Sequence, residues 1–275
     1  MELLVFDLDG TLLDRRGRIS AYTKATLLAL RQRGIAYTVA TGRTYPECRE
    51  LLSALEIGLP QIYKNGVVVW DPTLACFTQQ CFLTPGEAER TITAALHTNL
   101  MPLVHTIDSA HHHAVYHPPI NDEIVGRWIG TFETELGLEL LPLSRLPADA
   151  DITNIFLLGD GAAIAYVRRQ IDAQDHLVAY EGEASESPGW RWLEVHHTSA
   201  SKGRALGYLK RQMRVSRVVC FGDADNDLSL FAQADESYAP SNATASAKAA
   251  ATAVIAHHNE DGVAEFLRHR YSLES

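Results

Sequence analysis

Four apolar residues, Leu3-Leu4-Val5-Phe6, run directly into two aspartates, Asp7 and Asp9, with Gly10 and Thr11 close behind. A run that is apolar at every position, not at alternate ones, fits a strand covered on both faces, as in a parallel sheet. Residues i and i+2 of an extended chain point the same way, so Asp7 and Asp9 are expected to face one site. Two carboxylates so placed need a neutralising partner, and a divalent cation is one. A small set of hard oxygen ligands suits Mg2+, which keeps waters and bridges to phosphate. Gly10 marks a sharp turn or a close approach to the backbone.

Helices and further strand-like runs follow. Residues 20–33 read as a helix, with Ser20 as N-cap and Gly34 just past the end. A second strand-like run, 35–40, ends at Thr41-Gly42-Arg43. A helix over 46–55 and a run at 61–63 follow, and the turn dipeptide Asn65-Gly66 leads into another strand at 67–70. This β-α-β-α-β order predicts a parallel sheet with helical crossovers. From residue 82 the character changes. Helices are expected at 84–98, 121–136 and 162–173. Short strands are expected at 103–107, 113–117, 138–143, 154–158 and 177–180. An α+β insert with a small, mostly antiparallel sheet fits, with 181–189 as the linker back. A strand-like return at 190–195 then precedes Ser201-Lys202-Gly203, a helix at 204–213 and a buried run at 217–221. That run ends in Gly222-Asp223-Ala224-Asp225-Asn226-Asp227. The expected fold is α/β: a discontinuous, Rossmann-like parallel-sheet core (1–81 and 189–275) with an α+β domain (82–188) inserted.

Three runs read as buried strands thus end in reactive groups: Asp7 and Asp9, Thr41-Gly42, and Asp223, Asn226 and Asp227. Ligands of open α/β sheets sit beyond the carboxyl ends of the strands, so these groups are expected on one sheet edge. Lys202 opens a helix, and helix N-termini favour anions. Acids for a metal, a hydroxyl with amides, and one ammonium together describe a phosphoryl site. Each piece has a plainer reading. Thr41-Gly42 alone suits a turn, and Lys202 alone a solvated helix start. Asp223, Asp225 and Asp227 alternate like a calcium loop but lack its glycine and its terminal glutamate. Gly159-Asp160-Gly161 imitates a dinucleotide loop without its third small residue. His111, His112, His113 and His117 have no acid or cysteine at ligand spacing, which argues against zinc. His196 and His197 suit packing or the surface better than a cleft.

The four motifs, Asp7-Leu8-Asp9-Gly10-Thr11, Thr41-Gly42-Arg43, Ser201-Lys202-Gly203 and Gly222 to Asp227, resemble those of the haloacid dehalogenase superfamily. The size and position of the insert, with Asn65-Gly66, are similar to the Cof-type sugar-phosphatase branch with its large cap. The resemblance implies that Asp7 is the nucleophile and forms an aspartyl-phosphate. It implies that Asp9 serves as acid and then base. Mg2+ would be held by Asp7, the Asp9 carbonyl and Asp223. Asp227 and Asn226 would orient bound water and Lys202, Thr41 and Gly42 would bind phosphoryl oxygens, and Lys202 would neutralise charge. Asn65 joins the phosphate-binding set by its place in that pattern. Arg43 has two readings, pairing with a second anionic group or bracing an acid of the core.

The implied function is Mg2+-dependent hydrolysis of a small phosphorylated metabolite, a sugar phosphate or related phosphomonoester. A phosphomutase or phosphotransferase is the alternative, and a non-catalytic binding protein on the same scaffold is a weaker one, since Asp7, Asp9 and Lys202 are all present. A net charge of −10 disfavours a nucleic-acid partner. No apolar run is long enough for a membrane span. Four cysteines without CxxC spacing suit reduced thiols and a cytoplasmic setting.

Overall fold

A computed structural model describes residues 1–134, 138–184 and 187–273. The chain divides into two units, Met1–Gln80 with Ser201–Ser275, and Cys81–Ala200. The first unit opens with β1 (Glu2–Phe6), α1 (Ala21–Gln32), β2 (Ala36–Val39) and α2 (Tyr45–Ser53). Ser20 caps α1, its hydroxyl accepting from the Thr23 amide at 2.9 Å. A Thr44/Glu47 capping box with proline in the first turn starts α2. Next come β3 (Gln61–Tyr63), β4 (Val68–Asp71) and β5 (Cys76–Gln80). These three form a separate antiparallel sheet. The expected third parallel strand is therefore corrected: the Asn65-Gly66 turn sends the chain back on itself, and only an Ala40–Ile62 bridge links β3 to the end of β2.

The second unit contains α3 (Pro85–His97), β6 (Leu103–Ile107), β7 (His113–His117), α4 (Glu123–Thr134), β8 (Glu139–Pro142), β9 (Asp151–Asp160), α5 (Gly161–Asp172), β10 (Leu177–Glu183) and β11 (Trp190–His197). Its six-stranded sheet runs β10-β11-β9-β6-β7-β8. All neighbours are antiparallel except β7 and β8. The helix expected over 121–136 is α4, and its expected end at Leu136 lies outside the described residues. Gly159-Asp160-Gly161 is a strand end running into a helix: the Asp160 carboxylate accepts from the Ala162 amide at 2.9 Å and so caps α5. Two expectations fail here. The return strand belongs to this sheet, because β11 pairs with both β10 and β9. The stretch at 181–189 is consequently not a linker: 181–183 are the end of β10 and the rest connects it to β11, with Ser185 and Glu186 outside the described residues. The crossing back to the first unit falls at 200/201, not at 189.

The first unit resumes with α6 (Lys202–Met213), β12 (Arg217–Phe221), α7 (Leu228–Phe231), β13 (Glu236–Pro240), α8 (Ala245–Ala250), β14 (Ala253–Ile255) and α9 (Gly262–Arg270). Its five-stranded sheet is wholly parallel, in the order β14-β13-β12-β1-β2. The strands are apolar on both faces because both faces are covered. Leu3, Val5, Val218 and Cys220 pack with Ala205, Leu206 and Leu209 of α6 and with Leu230 of α7. On the other face Phe6, Phe221 and Tyr238 stack in a row, with Phe266 of α9 packed on Phe221 and Tyr238. No helix among the described residues is long and apolar enough to cross a membrane. All four cysteines are free thiols.

Leu206 is fully buried in the cluster beneath the sheet. Leu206→Ala is expected to lower stability by about 2–5 kcal/mol, read as a lower denaturant midpoint at unchanged slope.

Candidate active site

The carboxyl ends of β2, β1 and β12 lie side by side, because Phe6 pairs with both Val39 and Phe221. The next residues continue that registration: the Asp7 amide donates to the Phe221 carbonyl at 2.9 Å and the Ala40 amide to the Phe6 carbonyl at 2.8 Å. Asp7, Thr41 and Asp223 therefore leave neighbouring strands on one edge, as expected.

Beyond Phe6 the chain folds into a tight turn over Leu8–Leu12, with Gly10 at φ +73°. A Cβ at Gly10 would sit 2.2 Å from an Asp223 carboxylate oxygen, so only glycine allows the two loops to close. The Gly10 carbonyl is held by the Asn242 side chain at 2.8 Å. The turn also separates the two aspartates. Asp7 is buried and faces Lys202, whereas the Asp9 side chain is 58% exposed. The Arg43 guanidinium grips Asp9 through Nε and Nη2, at 2.8 and 2.6 Å. The backbone over Leu8–Leu12 is turned and not extended, and Arg43 pairs with Asp9, an exposed acid. This bidentate bond holds the guanidinium well above its ordinary range.

Lys202 is the first residue of α6, whose N-cap is Ser201. Its side chain is fully buried, with Nζ 2.6 Å from Asp7 Oδ1 and 2.7 Å from Asp227 Oδ1. Burial alone would lower this ammonium, but Asp227 and Asp7 outweigh it and the group is held above its usual value. Asp227 turns its other oxygen to the Asp223 and Ala224 amides, at 2.9 and 3.1 Å. It therefore ties Lys202 to the loop that carries Asp223. Asp225 points elsewhere and accepts from the Ser246 hydroxyl, in keeping with a capping or solvated role.

Thr41 is fully buried, and its hydroxyl accepts from the Arg43 amide at 3.1 Å. Asn65 sits in the left-handed region at φ +53° beside Gly42, and its Oδ1 accepts from Asn226 Nδ2 at 2.9 Å. A Cβ at Gly66 would come 2.3 Å from the Ser201 carbonyl, so the Asn65-Gly66 turn sits directly on the start of α6. All the expected site residues thus belong to one unit and to one end of its sheet.

Asp7, Asp223 and Asp227 offer oxygens within 4.8 Å of one another, the only such group of potential metal ligands among the described residues. The histidines at 111–117 form no such group; His112 instead pairs with Asp108. The buried Asn226 Oδ1 has no hydrogen-bond partner, which adds another hard oxygen. This donor set fits a divalent cation of the oxygen-preferring kind. Without one, burial pushes Asp7 well up, against the pull of Lys202. Burial and then Asp227 raise Asp223 to about 6.

A family model described as haloacid dehalogenase-like hydrolase matches residues 4–267. A 5-amino-6-(5-phospho-D-ribitylamino)uracil phosphatase of Bacillus subtilis is 23% identical, with 98% of each chain covered. An HMP-PP phosphatase of Serratia proteamaculans is 28% identical over 97% of this chain and 94% of its own. The solved structure of an HAD subclass IIB sugar phosphatase superposes with a TM-score of 0.78 at 20% identity, covering 98% of this chain and 99% of that one. The likeness at that identity speaks to the fold, an α/β core with a cap. The parallel sheet, the buried lysine–carboxylate site at its edge and the inserted α+β unit define an enzyme of the capped hydrolase type. The chain belongs to the haloacid dehalogenase-like hydrolases, in the Cof-type branch that its motifs resemble.

Two outcomes follow from the charges. A carboxyl raised in the folded state binds its proton more tightly than in the unfolded chain, so its contribution to stability is lost as pH rises from its ordinary 3.8 towards about 6. A cation needs the ionised form. Added divalent cation is therefore expected to raise the melting temperature more at about pH 8 than at about pH 5. Lys202→Met, measured without metal, is expected to cost about 3–5 kcal/mol in denaturant unfolding, because it strands Asp7 and Asp227 in a buried site.

Proposed function

We propose that this protein is a Mg2+-dependent phosphomonoester hydrolase of small phosphorylated metabolites, with a sugar phosphate as the substrate class, working through an aspartyl-phosphate. The observation that carries the reading is the Lys202 ammonium 2.6 Å from Asp7 in a buried acidic cluster. It opposes the burial that raises Asp7 and fixes the direction of one carboxylate oxygen, as in-line attack on phosphorus requires. The two relatives named above act on a phosphoribitylamino-uracil and on HMP-PP, which supports a small phosphorylated metabolite.

In this reading Asp7 attacks the phosphorus and the leaving-group oxygen departs with a proton from Asp9. Water then attacks the acyl phosphate, Asp9 takes its proton, and Asp7 is regenerated. Thr41, the Gly42 amide and Lys202 meet the charge that spreads over the phosphoryl oxygens. Asn65 and Asn226 hold one another in place beside them. Mg2+ on Asp7, the Asp9 carbonyl and Asp223 would supply Lewis-acid stabilisation, with Asp227 and Asn226 orienting its surroundings. Asp9 can serve only after leaving the Arg43 fork, so Arg43 sets when the acid is delivered. The inserted unit would choose the leaving group and exclude water. Such an enzyme with four free thiols suits the cytoplasm.

Phosphate release should require Mg2+, stop with chelator and return on Mg2+ addition. Asp7→Asn should abolish it, and Asp9→Asn should lower kcat by about 10²–10⁴-fold. Release that persists undiminished in Asp7→Asn would overturn the assignment.

A further inference from the structure

Two strands of the parallel sheet, β13 and β14, carry none of the motif residues. They nevertheless run parallel to β12 and so finish on the same edge of the sheet. The loops that follow them supply Asn242, His258, Asn259 and Asp261, and each of these side chains reaches the segment that follows β1. Asn242 Nδ2 donates to the Gly10 carbonyl at 2.8 Å. His258 Nδ1 lies 2.7 Å from the Leu13 carbonyl. A carbonyl oxygen only accepts, so that ring nitrogen carries the hydrogen. Asn259 Oδ1 accepts from the Arg15 amide at 2.7 Å. The Asp261 carboxylate accepts from the Ser20 hydroxyl and, at 2.9 Å, from the Thr23 hydroxyl.

The four side chains divide by what they hold. Asn259 and Asp261 fasten the approach to α1 and its first turn. Asn242 and His258 fasten the tight turn that carries Asp9. They also hold each other: Asn242 Oδ1 accepts from the His258 amide at 3.1 Å, which settles which end of the Asn242 side chain faces Gly10. The turn closes through the Leu13 amide, which donates to the Leu8 carbonyl at 2.9 Å. Inside it Asp9 is extended, at φ −72° and ψ 126°, and Gly10 is left-handed. Regular helical geometry therefore does not fix the backbone at Asp9. Its place is set from outside, by the Asp7 amide on Phe221 at one end and by Asn242 and His258 at the other.

We propose that Asn242 and His258 are a positioning pair for the acid–base residue Asp9. The proposal rests on the phosphatase reading, in which Asp9 protonates the leaving oxygen, and it adds two residues that lie outside the four motifs. Asp9 has to swing from the Arg43 fork towards the substrate. A backbone free to move with it would spread the carboxyl over many orientations, and a misplacement of about 1 Å can cost on the order of a hundredfold in rate. With the Gly10 and Leu13 carbonyls pinned, the swing is confined to the Asp9 side-chain torsions. Asp7 does not need the pair, because its amide bond to Phe221 and its contact with Lys202 hold it separately. Loss of the pair therefore weakens proton delivery more than attack on phosphorus.

The test separates the two by leaving group. D-glucose 6-phosphate releases an alkoxide that needs a proton, whereas p-nitrophenyl phosphate releases a phenolate that leaves without one. Asn242→Ala and His258→Leu should each lower kcat/KM for the sugar phosphate at least about tenfold more than for the aryl ester, the same bias expected of Asp9→Asn. His258→Asn, whose Nδ2 can donate in place of the ring Nδ1, should restore the ratio. Equal losses on both esters, or no loss on either, would overturn the assignment. Amide hydrogen exchange on the metal-free protein needs no turnover. A peptide spanning Leu8 to Asp14 should exchange at least about tenfold faster in His258→Leu than in the wild type, with α6 unchanged. Unaltered exchange in that peptide would overturn the pair whatever the kinetics. No Asp7-dependent release from either ester would instead sink the phosphatase reading, and the exchange would still decide whether the pair holds the turn.

Discussion

The Lys202 ammonium held between Asp7 and Asp227 is the interaction on which the rest of the site depends. A buried charge persists only if it is paired and hydrogen-bonded, and here each partner is anchored in turn. Asp7 is fixed by β1, whose ladder continues through its own amide to the Phe221 carbonyl. Asp227 is fixed by two amides of the loop it closes. Lys202 is fixed by the start of α6, on which the Asn65-Gly66 turn rests. The same contacts that assemble the charges therefore lock three strand ends to one helix. The cluster carries more carboxylates than ammonium groups, so it is acid-heavy. This imbalance makes it receptive to a cation.

Much of this was legible because it is local. An unbroken apolar run reads as a two-sided strand wherever it occurs, and the reactive residues follow those runs directly. The helix cap at Ser20 also depends only on near neighbours. What was not legible depends on long-range pairing. Trp190 to His197 alternates in a way that suits either sheet, and only its partners β9 and β10 show which one it joins. Likewise Gln61-Ile62-Tyr63 looks like a further parallel strand until the antiparallel return of β4 claims it. The strand at Glu236–Pro240 was missed because it carries Glu, Ser and Pro, which suit a turn. Cys76–Gln80 was missed because its polar side chains break the apolar signal. In the site, the grip of Arg43 on Asp9 joins loops 34 residues apart, a pairing that no local pattern shows.

The two units divide the chemistry. The parallel core holds every group that would touch a phosphoryl group, on short loops braced by strands and a helix start. The inserted unit holds a sheet with α5 packed on one face and α4 on the other. Sequence motifs describe the first unit well because few geometries handle phosphate. They say little of the second, where a face is defined only when six strands are in register.

The most direct measurement is an acid quench during turnover, followed by mass analysis of the peptide containing Asp7. The account predicts one acid-stable, base-labile phosphoryl group on Asp7, accumulating when Asp9 is replaced by asparagine. Steady turnover with no phosphoryl group on Asp7, or with the label on another residue, would contradict it.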